Sequence, residues 1–227
     1  EELGFSAPHV YAQDVENGFV LLEDFGDSTY TRLLKNGADE RALYELAADL
    51  LIDLHRRGET AAVPAGLARY DIEAVKKEVM LFPDWFMPAA FGRETDKAAV
   101  DDFVLLWEEV FPVANNVPQT LVLRDYHVDN LLLLKNRAGV KAGGLLDFQD
   151  ALHGAATYDI MSLMEDARRD IDVGLLNAMR DRYIAGMGGA LPDRDDFLAS
   201  WAVWAAQRHV KVLGIFVRLC VRDGKPR

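Results

Sequence analysis

Leu123-Arg124-Asp125-Tyr126-His127-Val128-Asp129-Asn130, followed by the four leucines Leu131 to Leu134, is the stretch that organises this chain. An apolar run from Thr120 to Leu123 leads into a polar turn, and the leucine run leads out of it. Short apolar runs bounded by polar turns read as strands. Inside the turn Asp125 and Asn130 lie five positions apart. Further on, Gly144-Leu145-Leu146-Asp147-Phe148-Gln149-Asp150 repeats the device, with an apolar run delivering an Asp at its end.

The 227 residues suffice for one large domain or two small ones. Half of them are hydrophobic and 27% are charged, an ordinary globular composition. The net charge of −12 argues against nucleic acid or an anionic membrane as partner, because phosphates repel such a field. It would suit a cationic or neutral small molecule. The single cysteine, Cys220, follows an apolar helical pattern with Val217, Leu219 and Val221, so a buried structural thiol is expected. One cysteine excludes a disulfide framework within the chain and a cysteine zinc site. No signal peptide opens the sequence, and no apolar run reaches the roughly 18 residues of a membrane span. The expectation is a cytoplasmic protein. The chain begins Glu1-Glu2 without Met and is expected to be a piece of a longer one.

Taken in order, Val10 to Asp14 and Phe19 to Glu23 are β-prone, and Glu16-Asn17-Gly18 between them is a hairpin turn signal. Ser28 or Thr29 can cap a short helix through Leu34. Asp39 to Arg57 carries leucines and alanines at helical spacing, with Asp39 as N-cap and Gly58 as stop. Asp71 to Met87 reads as a helix interrupted near Pro83, and Asp96 to Val110 as another. Beyond Asp150, Ala151 to Ala156 reads as a loop. Tyr158 to Ala167, Val173 to Gly186 and Asp193 to Leu219 read as helices, the last two separated by Gly188-Gly189 and Pro192. Arg222 to Arg227 reads as a fraying tail. The expected fold is α+β and mostly helical, with a small β element carrying the polar loops.

Phosphoryl transfer asks a protein to position the acceptor hydroxyl, accept its proton and neutralise phosphate charge with metal. Asp125 in a turn can orient and deprotonate a hydroxyl. The amide oxygen of Asn130 and the carboxylate of Asp147 are hard oxygen ligands suited to magnesium. Asp and Asn five apart also recur by chance, and a hydrogen-bonded loop between two strands explains that pair equally well. The second strand ending in Asp147 favours the chemical reading.

The chain resembles the aminoglycoside phosphotransferase and choline kinase superfamily, whose fold is protein-kinase-like. The likeness rests on Leu123 to Asn130, on Leu146-Asp147-Phe148-Gln149-Asp150 and on Tyr158-Asp159-Ile160. Arg124-Asp125-Tyr126-His127, Leu145 to Ala151 and Leu81-Phe82-Pro83-Asp84-Trp85-Phe86 are similar, more narrowly, to bacterial kinases of N-acetylmuramate and N-acetylglucosamine. The resemblance implies an ATP-dependent transfer of the γ-phosphate to a small-molecule hydroxyl. It implies Asp125 as catalytic base and Asn130 and Asp147 as magnesium ligands. The backbone of Glu23 and Phe25 would bind adenine over an apolar floor of Leu132 and Leu146. Asp159 would support the catalytic loop. An aminoglycoside, choline or another cationic alcohol is the alternative acceptor, and a non-catalytic nucleotide-binding module the third reading.

Two departures stand out. Leu123 occupies a position where the family usually has His. No lysine precedes Lys35, so a phosphate-gripping N-terminal lobe is expected to be largely absent from the chain. Residues 1–27 would then be the last hairpin of that lobe and the hinge, and 28–227 the helical C-terminal lobe. Such a piece alone would be inactive, its missing lobe being its partner. His127 either shapes the turn or touches the phosphate. Trp85 is a candidate for sugar stacking or core packing, Glu78 for sugar hydroxyls or a solvated helix face, and Asp150 for substrate, a second magnesium or a cap. Asp129 reads as a turn residue, His55 as a helix-end or core residue, and Arg56-Arg57 and Arg168-Arg169 as solvated.

Overall fold

Capping chemistry sets the helix starts. In the computed structural model, which describes residues 2–191 and 193–225, Thr29, Asp39, Asp71, Asp96, Asp172 and Asp193 each accept a hydrogen bond from a backbone N–H in the first helical turn. They open α1 (Tyr30–Lys35), α2 (Glu40–Arg56), α4 (Ile72–Val79), α6 (Lys97–Ala114), α8 (Val173–Met187) and α9 (Arg194–Val221). Between these lie α3 (Gly58–Ala62), α5 (Met87–Phe91) and α7 (Thr157–Met164). Gly58 turns the chain with φ 72° as expected, but a short helix restarts there rather than a loop. Pro83 falls in a π-helical turn, Phe82–Phe86, where α4 gives way to α5. Pro192 lies outside the described residues.

Among the described residues three two-stranded antiparallel sheets complete the fold: β1 (Val10–Asp14) with β2 (Phe19–Leu22), β3 (Gln119–Val122) with β6 (Leu152–Ala155), and β4 (Leu131–Leu133) with β5 (Gly143–Leu145). The β1–β2 turn is closed by Asp14, which accepts from the backbone and side-chain N–H groups of Asn17, and by Gly18 at φ 74°. β6 corrects the loop expected over Ala151 to Ala156. Leu152-His153-Gly154-Ala155 lacks the branched, alternating pattern of a strand, and pairing with β3 makes it one. Gly154 is required there, because a Cβ would meet the Tyr70 Cβ at 2.9 Å.

The leucine face of α2 forms the centre of the core, with Leu50, Leu51 and Leu54 buried at about 1.5–3 kcal/mol each. α2 packs on α8, and α9 lies across α6, α7 and the π turn. An aromatic cluster of Tyr70, Tyr158 and Trp204 joins these layers, with ring centroids 4.7–5.1 Å apart. α7 is buried at every position. Cys220 corrects the expected buried thiol: it is exposed near the end of α9, beyond the helix's last buried residue, Gly214. Among the described residues no helix is long and apolar enough to cross a membrane.

Candidate active site

β3 ends at Val122 and β4 begins at Leu131, and the turn between them holds the polar residues. Arg124 reverses the chain with φ 67°, and Asp147, at the end of the β5 segment, has φ 59°. Among the described residues these are the two non-glycine positions in the left-handed region, and both flank the same spot. Each costs on the order of 1–3 kcal/mol, so the surrounding structure must hold them. The turns are tied together through Asn130. Its side-chain N–H donates to the Asp125 backbone carbonyl (3.0 Å) and to Asp147 Oδ2 (3.2 Å), while its backbone carbonyl accepts from the Leu146 N–H (3.0 Å). Gln149 donates to Asp147 Oδ1 at 2.7 Å. Amid this network the half-buried Asp125 side chain accepts no hydrogen bond from any described residue, so its carboxylate is open to a ligand.

Two carboxylates, one fully buried and one half-buried, fix the turn from behind. Asp159, on α7 and fully buried, accepts from the N–H groups of Leu123 (2.7 Å) and Arg124 (3.0 Å). Burial pushes its pKa up to about 7, against those two donors and Arg208, which pull it down. Leu123 itself is buried in the core, so packing and Asp159 together hold the start of the turn. The second carboxylate is Glu78 on α4. It accepts from Tyr70 Oη (2.5 Å), Arg124 Nη2 (2.5 Å), Gln207 Nε2 (2.6 Å) and Lys211 Nζ (2.7 Å). Burial alone would raise its carboxyl, but Lys211, Tyr70 and Arg124 outweigh that and hold it low. Arg124 also donates from Nη1 to the Asp150 carbonyl at 3.2 Å. One guanidinium thus joins α4, the Asp125 turn and the Asp147 segment. The sequence carries no local signal for this clamp, because Glu78, Arg124, Gln207 and Lys211 lie on distant elements.

His127 is buried; its Nδ1 accepts from the Asp129 N–H and its Nε2 faces the Asn130 amide at 3.3 Å. Burial, and then the Arg168 charge, lower its pKa, so the ring is neutral near pH 7. Asp129 accepts from the Thr31 hydroxyl, which joins the turn to α1. Arg168 lies 3.6 Å from Asp129 and 3.3 Å from Asp166, and Arg169 bonds Glu40 at 2.6 Å. Neither arginine is simply solvated.

At the junction of β2 and α1, the Glu23 carboxylate pairs with Arg137 (2.5 Å), whose guanidinium lies 5.0 Å over the Phe25 ring. The Glu23 carbonyl and the Phe25 N–H make no hydrogen bond to any described residue. Leu132 is buried and Leu146 half-buried next to Asn130 and Asp147. Asp150 is exposed and Trp85 sits half-buried on the π turn; among the described residues no hydrogen bond joins either side chain to Asp125. His55 is a core residue, its Nδ1 bonded to Tyr183 Oη at 2.6 Å.

Residues 1–198 match the model of the APH phosphotransferase enzyme family. A Pseudomonas aeruginosa protein named N-acetylmuramate/N-acetylglucosamine kinase is 39% identical over 229 residues, covering 99% of this chain and 64% of the relative. A Caulobacter vibrioides protein of the same name is 36% identical, covering 99% and 62%. The chain therefore spans less than two thirds of these relatives. The backbone also follows that of a choline/ethanolamine kinase family protein from Mesorhizobium loti. The TM-score is 0.62 at 14% identity, over 98% of this chain and 68% of the other.

Proposed function

Because the chain belongs to the APH phosphotransferase enzyme family, we propose that it supplies the acceptor and metal side of an ATP-dependent kinase for an amino sugar such as N-acetylmuramate or N-acetylglucosamine. The observation that carries the reading is the unpartnered Asp125 carboxylate beside the Asn130–Asp147 pair. In this reading Asp125 accepts the proton of the sugar hydroxyl and aligns its oxygen for attack. Asn130 and Asp147 fit magnesium, since an amide oxygen and a carboxylate are the donors that ion takes alongside water and phosphate. Rotation of the Asn130 amide presents its oxygen where its nitrogen now lies. The ion, when bound, supplies positive charge against the transferring phosphate. His127 keeps Asn130 and Asp129 in register, Asp159 holds the turn, and the free carbonyl of Glu23 and N–H of Phe25 match an adenine edge above Leu132 and Leu146. Asp150 and Trp85 remain candidates for acceptor contact. Glu78, with four protein donors, serves Arg124 instead.

Residues 1–27 form the end of the nucleotide-side lobe and the hinge in this reading, and 28–227 the helical lobe. Every residue of β1 and β2 is exposed, as expected of a hairpin whose packing partner lies elsewhere in the complete protein. Phosphorus NMR of the complete protein with ATP, magnesium and a panel of acceptors tests the proposal. Phosphorylated N-acetyl sugar is the expected product. The acidic balance of the chain supports a cationic alcohol as second reading, and phosphorylation of choline or kanamycin but not of N-acetyl sugars would establish it. Asp125→Asn should lower kcat by roughly 10²–10⁴-fold with nucleotide affinity retained. Turnover near wild type would remove Asp125 as the base.

A further inference from the structure

Resting on the amino-sugar reading, we infer that a cationic cavity beside the catalytic turn binds a carboxylate substituent of the acceptor sugar, with Lys35, Arg168 and Arg169 as its wall. The cavity measures about 430 Å³, within the range of roughly 300–1,000 Å³ typical of small-molecule sites. It lies between α1 and the segment following α7, and Val128 and Asp129 of the turn line its inner edge. Its proximity to the chemistry is marked by Asp129, which lies four residues after Asp125 in the same turn and 3.6 Å from Arg168. The cavity and the proposed base therefore share one loop.

The polar lining is built rather than incidental. Buried Asp166 holds Arg168 at 3.3 Å, and Glu40 holds Arg169 at 2.6 Å, with the Arg169 guanidinium also 6.0 Å over the Tyr44 ring. Anchored this way, the guanidiniums keep further N–H donors for a planar anion, the geometry arginine offers a carboxylate. Asp129, the one acidic residue of the lining, is occupied by Thr31 and Arg168. Lys35 has no carboxylate partner among the described residues, so its charge is unbalanced in a chain of net charge −12. A cationic acceptor would meet like charge here. An acidic sugar would find two oriented donors and a free ammonium.

N-acetylmuramate carries a lactyl carboxylate that N-acetylglucosamine lacks, so the two sugars isolate this contact. In the complete protein, the ratio of kcat/KM for N-acetylmuramate to that for N-acetylglucosamine should fall at least about ten-fold in Lys35→Gln and in Arg168→Gln. The change should lie in the KM for the acidic sugar, with Lys35→Glu larger and Lys35→Arg near wild type. Lys35 is exposed and unpaired, so its variants fold even where Arg168→Gln does not. An unchanged ratio, or an equal loss on both sugars, overturns the carboxylate site while leaving the kinase reading intact. A wild-type protein that phosphorylates neither sugar overturns the amino-sugar reading, and this site with it.

Discussion

The β1–β2 hairpin and the Asp125 turn are built from the same kinds of residue and meet opposite fates. Phe19 is 71% exposed and Val20 57%, whereas Leu131 and Leu132, apolar residues on an equally short strand, are each 1% exposed. The hairpin closes on its own turn, and among the described residues no layer packs against it. The Asp125 turn is gripped by α4, α7 and α9 through side chains. Apolar strand pattern alone therefore does not place a strand in a core. It records a face that needs a partner, and in the hairpin that face is still bare.

The largest way to break this contrast is to remove the grip. Asp159→Ala would leave the N–H groups of Leu123 and Arg124 without acceptors and should cost about 2–5 kcal/mol in urea unfolding. A loss below 1 kcal/mol would mean that packing alone holds the turn. Next comes Glu78→Gln, which keeps the volume but gives up charge on the Arg124 clamp. In the complete protein it should reduce kcat by roughly ten-fold with little change in nucleotide affinity, since Arg124 acts through the geometry of Asp125 and Asp147. A rise in acceptor KM with unchanged kcat would instead make Glu78 a sugar contact.

Acid should sharpen the picture in a defined direction. Asp159 has a folded pKa of about 7, above the value near 4 of an unfolded aspartate. Between those values the folded chain holds a proton that the unfolded chain has released. Its contribution is full below about pH 4 and is lost as pH rises through about 7. The wild-type stability minus that of Asp159→Asn should therefore decline from pH 5 to pH 8; a flat difference would place the native Asp159 pKa near its unfolded value. The smallest effect belongs to the hairpin. Val20→Ser should change the unfolding free energy of residues 1–227 by less than about 0.5 kcal/mol, because no described residue covers Val20. In the complete protein the same change should cost more than about 1 kcal/mol if a further layer packs on this face. Equal, small effects in both would leave the hairpin a solvated ribbon.

The sequence by itself determined the features that are local. Asp39, Asp71 and Asp96 each satisfy an N–H two or three residues ahead, so helix starts were legible. Asn17-Gly18 closed its own hairpin, and the helical spacing of α2 announced its buried face. The residues around Asp125 and Asp147 were legible as motif and as family resemblance. What only the tertiary structure decided joins residues far apart in the chain. β6 is a strand because β3 lies beside it, and Cys220 is exposed because it lies beyond Gly214, the last buried residue of α9. Glu78 is committed to Arg124 because α9 brings Gln207 and Lys211 to the same carboxylate. Arg169 lines a cavity because Glu40, on α2, holds it there. Caps and periods are interactions within one or two helical turns, and a sequence displays them directly. A charge's partner across more than a hundred residues is set only when the core has packed.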